Sequence, residues 1–580
     1  MKYINFESQY DLAPKINISK ENLIIKGYKN IHNHIKKNTS KHVFVFECYP
    51  GVRYEEIEVE LFSLFSKSTI INVDNYAKNN DEINNMFSQY LTDDRVFGFM
   101  NDLDVLDLYS KENQLKILDL VNQSTNNVIV YGFGASQLVK ADTLVYLDMA
   151  RWEIQKRLRS QEMSNWRQND YDLDILRKYK RGFFIEWRIA DKIKDKLYNE
   201  IDYYLDTNQA NNPKMITGEE FTSALKHSAT RPFRLVPYFD TGVWGGQWMK
   251  EVCNLDKNVV NYAWCFDGVP EENSIYLEFG DDYIESPSIN LVLYQPHNLL
   301  GEKIVNKYGK EFPIRFDFLD TVEGGNLSLQ VHPLKSYIKD KFNMDYTQDE
   351  SYYILYAKED AKVFLGLKDN IDKDQLLIDL ENANKGLYPF PNELYINEFN
   401  AKKHDHFLIP AGTIHCSGSN AMVLEISATP YIFTFKLWDW GRLGLDGIPR
   451  PVHINHGKEV IQYDRTTKWV EENLVNHFEE IYVDENTLIE KTGLHDLEPI
   501  ETIRHSSNQT QTHKANKSVH VINLVEGEEA IIKSPTNEFE PFIVHYAETF
   551  IIPASIDEYT VSPHGPSVGK TIKTLKAYIK

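Results

Sequence analysis

The chain has only four cysteines in 580 residues (Cys48, Cys253, Cys265 and Cys416), and no two of them form a CxxC pair. That scarcity excludes a disulfide framework and a thiolate zinc site, and it suits a reduced intracellular protein. Long apolar runs are also missing. Nothing is long enough to span a bilayer, and "MKYINFESQYDLAPK" at the start has no apolar signal core, so the sequence reads as cytoplasmic and soluble. Positive charge is short as well, with 63 lysines and arginines against 85 acidic residues and a net charge of −22. Nucleic acid and anionic membranes both reward basic patches, so neither is expected as a partner. An anionic substrate would need its own local cluster of cations.

What is present is length and aromatic bulk. A chain of 580 residues with 34 tyrosines and 30 phenylalanines implies two to four domains with sizeable cores. Residues 41–47, 68–74, 126–135 and 142–148 ("KHVFVFE", "STIINVD", "NNVIVYGFGA", "DTLVYLD") read as strands separated by helical stretches, the pattern of an open α/β sheet. Strand, turn, helix and then a strand ending in Asp74 resembles the layout of a uridine-kinase-type P-loop enzyme, and "DMARWEIQKRLRSQEMSNWR" resembles its basic helical lid. The phosphate loop itself is missing. The turn reads Tyr49-Pro50-Gly51-Val52-Arg53-Tyr54-Glu55-Glu56, with one glycine, a proline that removes an amide donor, and two glutamates where phosphate would sit. Residues 1–220 are therefore expected to form a degenerate nucleoside-kinase-like domain without ATP chemistry. Arg151, Arg157 and Arg159 read as a solvated basic helix face, and the Asn-rich "LDTNQANNPK" (205–214) as a linker.

From about residue 229 the texture changes to short strands punctuated by Gly, Pro and Asp, which predicts an all-β region. Within "NLSLQVHPLKSY" (326–337), Gln330 and His332 stand two residues apart. A strand would point both to one face and Leu327, Leu329 and Val331 to the other. Glu350 heads an aromatic strand eighteen residues later, and Pro410-Ala411-Gly412-Thr413-Ile414-His415 places a second histidine just past a tight turn. Two histidines and a glutamate are standard ligands for a divalent ion, and a glutamine oxygen completes a site that keeps one position open.

These stretches, with "FPIRFDFLD", "DESYYIL", "FLIPAGTIHCSG", "MVLEISATPYIFTFKLWDWGR", "GIPRPVHI" and "GVWGGQWMKEV" (242–252), resemble type I mannose-6-phosphate isomerases over roughly residues 229–580. The resemblance implies a multi-domain chain whose C-terminal part is an all-β double cupin. A metal-binding cupin would span 229–470 with a helical insertion at about 371–400, and a second cupin without metal ligands would span 471–580. It implies one zinc ion held by Gln330, His332, Glu350 and His415, with Glu425 and Arg442 as catalytic residues. The implied substrate is a small sugar or sugar phosphate, isomerised between aldose and ketose through a cis-enediol. In the second cupin, "TFIIPASIDEYTVSP" (549–563) repeats "HFLIPAGTIHCSGSN" with Ser555 in place of the glycine and Glu558 in place of the histidine, so packing is its expected role.

Two positions depart from the family pattern. Lysines expected two residues before Glu350 and in the strand before Gln330 are here Gln348 and Asp317. A phosphate dianion needs counter-charge, and Arg315 and Lys436 are the cations left to supply it. A non-catalytic sugar sensor and a bifunctional kinase–isomerase are the alternative functions.

Overall fold

In the computed structural model, which describes residues 3–37, 41–493 and 495–580, the N-terminal apolar runs become strands, three of them buried on both faces and the one at 69–72 partly exposed at the sheet edge. They lie in a seven-stranded sheet: β1 (Ile25–Lys26), β2 (Val43–Cys48), β3 (Thr69–Asn72), β4 (Val128–Gly132), β5 (Thr143–Asp148), β6 (Tyr203–Asp206) and β7 (Lys214–Thr217). The order is β1-β7-β6-β5-β2-β4-β3, and the five strands from β6 to β3 run parallel. Parallel strands carry helices on both faces, which is why "VFVFEC" is apolar throughout rather than alternating. Burying each of Phe44 and Phe46 completely contributes roughly 1.5–3 kcal/mol.

The turn after β2 leads into helix α1 (Tyr54–Glu60) and is closed from above by helix α2 (Arg151–Arg159). Gly51 holds φ +111°, and its carbonyl accepts a hydrogen bond from Arg157 Nη1 at 2.7 Å. Two of the three lid arginines are therefore not a solvated face. Arg157 is buried against Glu153 and the Gly51 and Asn208 carbonyls, and Arg151 is buried and pairs with Asp191 at 2.6 Å. Helical spacing revealed the cations but not the distant partners that bury them. A cavity of about 810 Å³ opens beside this turn, and its charged lining is three arginines (Arg53, Arg157, Arg167) against six carboxylates. The Asn-rich stretch 205–214 is not a linker: it is the end of β6, a turn, and the start of β7, with Asp206 and Asn208 buried.

The chain forms two compact units, and their boundary is crossed more than once. One unit holds the described residues of Lys15–Ser228 together with Ser274–Gln295; the other holds those up to Pro14, Ala229–Asn273 and the described residues of Pro296–Lys580. In the second unit Tyr3 N donates to Glu251 Oε1 at 2.9 Å and Asp11 N to Glu548 Oε1 at 2.7 Å, so the N-terminal segment is fastened to residues hundreds of positions away. Sequence pattern is blind to such pairing, and both excursions depart from the boundaries at 220 and 229.

The second unit is built from two pairs of sheets. The first pair comprises β8 (Tyr238–Asp240), β9 (Trp264–Gly268), β10 (Arg315–Asp320), β11 (Leu329–Val331), β12 (Asp349–Ala357), β13 (Lys362–Leu367), β14 (Ile396–Asn400), β15 (His406–Ile409), β16 (His415–Ser417), β17 (Ala421–Ala428) and β18 (Phe435–Trp438). They form a six-stranded sheet, β15-β12-β17-β10-β9-β8, and a five-stranded sheet, β14-β13-β16-β11-β18. The stretch 371–400 is helical at α3 (Lys373–Asn384) and in a short turn of helix at Asn392–Tyr395, but it ends as β14 rather than helix. The second pair is formed by β19 (Glu479–Val483), β20 (Thr487–Lys491), β21 (Ile500–Ser507), β22 (Gln511–Lys514), β23 (His520–Glu526), β24 (Glu529–Lys533), β25 (Phe542–His545), β26 (Thr549–Ile552), β27 (Glu558–Pro563) and β28 (Ile572–Ile579). Its sheets run β19-β20-β21-β28-β23-β26 and β22-β27-β24-β25. No described helix is long and apolar enough to cross a membrane.

Candidate metal centre

Strand register brings the predicted ligands together. Gln330 on β11 lies directly opposite His415 on β16 and opposite Lys436 on β18, so all three project from one face of the five-stranded sheet. On the six-stranded sheet Glu350 of β12 faces Ser427 of β17, Tyr352 faces Glu425, and β10 sets Asp317 against Glu425 and Arg315 against Ser427. The two inner faces meet: Glu350 Oε2 lies 3.0 Å from His332 Nε2, and Oε1 lies 2.8 Å from His415 Nε2. Among the described residues, His332, Glu350 and His415 are the one group of three or more His, Cys, Asp or Glu side chains with ligand atoms within 4.8 Å of one another, and all three are 0% exposed.

Hydrogen bonding behind the ligands decides what this group can hold. His332 Nδ1 donates to the Phe433 carbonyl and His415 Nδ1 to the Thr413 carbonyl, each at 2.9 Å. A carbonyl only accepts, so both protons are fixed on Nδ1, and each neutral imidazole presents a bare Nε2 lone pair. Those lone pairs point at the two oxygens of one carboxylate. His332 Nε2 and Glu350 Oε1 have no hydrogen-bond partner. A cation between them resolves the repulsion, and the donor set of two imidazoles and a carboxylate is that of a divalent transition metal. Gln330 Nε2 lies 3.1 Å from His415 Nε2, and turning the amide over directs its Oε1 at the same point.

The support around the ligands is dense. Gly412, at φ +89°, donates its N–H to the His332 carbonyl at 2.9 Å, and Asp349 Oδ1 accepts from Ala411 N at 2.8 Å. Arg465 Nη1 reaches the Pro410 and Ala411 carbonyls at 2.7 and 2.8 Å. The turn that aims His415 is thus tied both to the strand of the first histidine and to the strand of Glu350. Gln348 donates to Glu350 Oε2 at 2.8 Å and accepts from Phe433 N at 2.8 Å, so it binds the ligand carboxylate where a lysine was expected.

Beside the cluster lies a pair of carboxyl groups. Burial, with the charges of Glu350 and Asp317, pushes Glu425 well above the carboxylate range. Burial raises Asp317 to about 8 against the opposing pull of Arg315, helped by Glu272 and Glu350. Arg315 is buried on the same face and donates to the Pro430 carbonyl at 3.3 Å. Arg442 is placed differently. Its guanidinium is held by Asp439 Oδ1 at 2.7 Å, the Asn326 carbonyl at 2.6 Å and the Asp439 carbonyl at 3.2 Å, and none of its hydrogen bonds reaches the metal cluster. Tyr352 went unnoticed in the sequence. Its buried hydroxyl has no hydrogen-bond partner and lies on the inner face between Glu350 and Glu425, two residues from the former, as strand alternation from Glu350 would place it.

Comparison with known proteins adds relatives. Residues 27–230 match a family model described as a domain of unknown function (DUF8485). The chain is 27% identical over 235 residues to the probable mannose-6-phosphate isomerase GmuF of Bacillus subtilis (strain 168), a match covering 40% of this chain and 69% of that protein. It is 24% identical over 239 residues to the mannose-6-phosphate isomerase ManA of the same organism, with the same coverage. Among solved structures, the mannose 6-phosphate isomerase from Bacillus subtilis aligns with a TM-score of 0.49 at 18% identity, covering 60% of this chain and 99% of that one. The curated relatives of this chain are thus named as mannose-6-phosphate isomerases, and their matches span about 40% of its length.

Proposed function

We propose that this chain is a metal-dependent aldose–ketose isomerase of the mannose-6-phosphate isomerase type. In this reading zinc is held by His332, Glu350, His415 and Gln330 in the metal-binding cupin, and the substrate is mannose 6-phosphate or a related sugar. The observation that carries the proposal is the pair of Nδ1-anchored imidazoles aiming two bare Nε2 atoms at one buried carboxylate. Bound metal supplies Lewis-acid stabilisation of the negative charge that develops on the sugar oxygens. In the form where the proton of the Glu425–Asp317 pair sits on Asp317, the ionised Glu425 takes the carbon-bound proton from C2 and returns it to C1 on the same face, as a cis-enediol route requires. Asp317, opposite it in register, keeps the proton in a carboxyl pair. Tyr352 is placed to donate its hydroxyl to a substrate oxygen. Arg315 and Lys436 supply the counter-charge for a phosphate, and Arg442 acts through Asp439 and the Asn326 carbonyl as a positioning residue.

A second reading, a non-catalytic sugar sensor, is favoured by one observation: Gln348 and Asp317 bring no positive charge to the inner face. For the N-terminal unit we propose a kinase-like layout without phosphoryl transfer, because Pro50 removes an amide donor and six carboxylates face three guanidiniums around its cavity. Proton NMR in D₂O tests the main reading, using protein with measured stoichiometric zinc and either mannose 6-phosphate or free mannose. Conversion, or loss of the C1 or C2 proton signal, is expected with at least one sugar. No exchange with either, in zinc-loaded protein, refutes the isomerase and selects the sensor.

A further inference from the structure

The interior of the second pair of sheets is not only packing. Its lower part is apolar, with Ile522, Leu524, Ile532, Phe550 and Ile552 in one cluster. Its upper part is basic. Register places Lys576 of β28 opposite Ile503 of β21 and Ile522 of β23, and His505 opposite Thr574, so Lys576, His505 and His520 all point inward beside the apolar cluster. From the facing sheet come His513 of β22 and Tyr559 of β27. The rings of His505 and His513 lie 4.5 Å apart, and His513 stacks on Tyr559 at 5.0 Å with an interplanar angle of 8°. His520 Nδ1 lies 2.8 Å from the Tyr559 hydroxyl.

This cluster has an unfilled requirement. His505 Nδ1 and His513 Nε2 are buried and have no hydrogen-bond partner, while His513, His520 and Lys576 are 4%, 3% and 8% exposed. No hydrogen bond or ion pair reaches Lys576 Nζ among the described residues; its contact is the Tyr578 ring, 5.7 Å away. The one carboxylate nearby, Glu501, is taken by the Tyr578 hydroxyl at 2.6 Å and by Lys491 at 3.0 Å. A buried ammonium beside unpartnered imidazoles repels a metal cation, and the three histidines do not bring ligand atoms within the 4.8 Å that the metal centre spans. It attracts a group that is negative and accepts several hydrogen bonds. The half-exposed Glu501, Ile503 and Tyr578 form the rim through which such a group would enter.

We propose that the basic end of this second barrel binds an oxyanion, the phosphate or carboxylate of a small metabolite, through Lys576 Nζ and the imidazole N–H groups of His505 and His513. The two ligand classes share this chemistry and are separated by the probe. The full chain, labelled with ¹³C at histidine Cε1, is titrated at pH 7 with inorganic phosphate and separately with acetate, each against sodium chloride at equal ionic strength. The expected result is a saturable shift of the His505, His513 and His520 signals with at least one anion, while His332 and His415 serve as internal controls for the metal centre. Lys576→Met weakens the response tenfold or more, His513→Gln weakens it several-fold, and Lys576→Arg keeps it within a few-fold. Absence of a saturable shift with either anion overturns the proposal. So does an unchanged midpoint in folded Lys576→Met or His513→Gln protein.

Discussion

Lys576→Met should make the second barrel more stable at neutral pH, which is an unusual outcome for a core substitution. Burial lowers the Lys576 amine from 10.5 to about 8, with Glu501 opposing the shift. Each unit corresponds to about 1.4 kcal/mol. Keeping the amine charged at pH 7 therefore costs the fold on the order of 3 kcal/mol, an upper figure because water reaches the rim. Methionine has nearly the same length and no charge to desolvate. The pH dependence has a definite sign. Between pH 8 and 10.5 the unfolded chain binds the proton that the folded chain has released, so wild-type stability rises with pH through that window. The variant lacks that rise, and the two proteins converge near pH 10.5. Urea-dependent pulse proteolysis in phosphate-free buffer, with cleavage mapped to residues 495–580, reads the barrel directly without assuming two-state unfolding of the whole chain. A variant no more stable than wild type at pH 7, with the two pH curves running parallel from 8 to 10.5, would refute the reasoning.

Three further outcomes concern the metal centre. His415→Ala removes a ligand and abolishes stoichiometric zinc, measured by elemental analysis after dialysis, together with any turnover; full activity in metal-free protein would exclude metal assistance. Glu425→Gln keeps the metal but lowers turnover by roughly 10²- to 10⁴-fold, the range of a lost acid–base group, and near-wild-type exchange in D₂O would assign the proton to another residue. Gly412→Ala forces a side chain into the left-handed region, with its Cβ 2.6 Å from Gln462 Cγ and 2.9 Å from the Val460 carbonyl. It should destabilise by about 2 kcal/mol or more, and zinc affinity should fall with it because this turn aims His415; unchanged thermal stability would mean that the turn readily relaxes.

The convergence of His332, Glu350 and His415 was legible because strand alternation is a strict rule: residues two apart share a face, so Gln330 and His332 point the same way, and a glycine turn explains how His415 joins them. The parallel strands were legible for the same reason in reverse, since burial on both faces writes a continuous apolar run. What stayed hidden was set by distant partners. Arg151 and Arg157 look like a solvated face until Asp191 and the Gly51 carbonyl appear beside them. The 205–214 stretch has linker composition because a hairpin turn and a linker draw on the same polar residues. Asp439 and the Asn326 carbonyl, which hold Arg442, are likewise partners that no spacing reveals. The three histidines at 505, 513 and 520 come from three strands in two sheets, and no spacing within one strand could have shown that they meet.

The repeated crossing between the two units sets a clock on biosynthesis. Asp11 N hydrogen-bonds Glu548 Oε1, a partner 537 residues downstream. At a synthesis rate of about 5–20 residues per second, that partner leaves the ribosome about half a minute to two minutes after Asp11 does. The unit formed by Lys15–Ser228 and Ser274–Gln295 has all its residues long before then. It can close while the N-terminal segment still waits, and the later sheets must assemble onto a segment made long before them. A holding chaperone, or slow translation near residue 295, would act in that interval. Neither unit can be obtained intact by cutting the chain once.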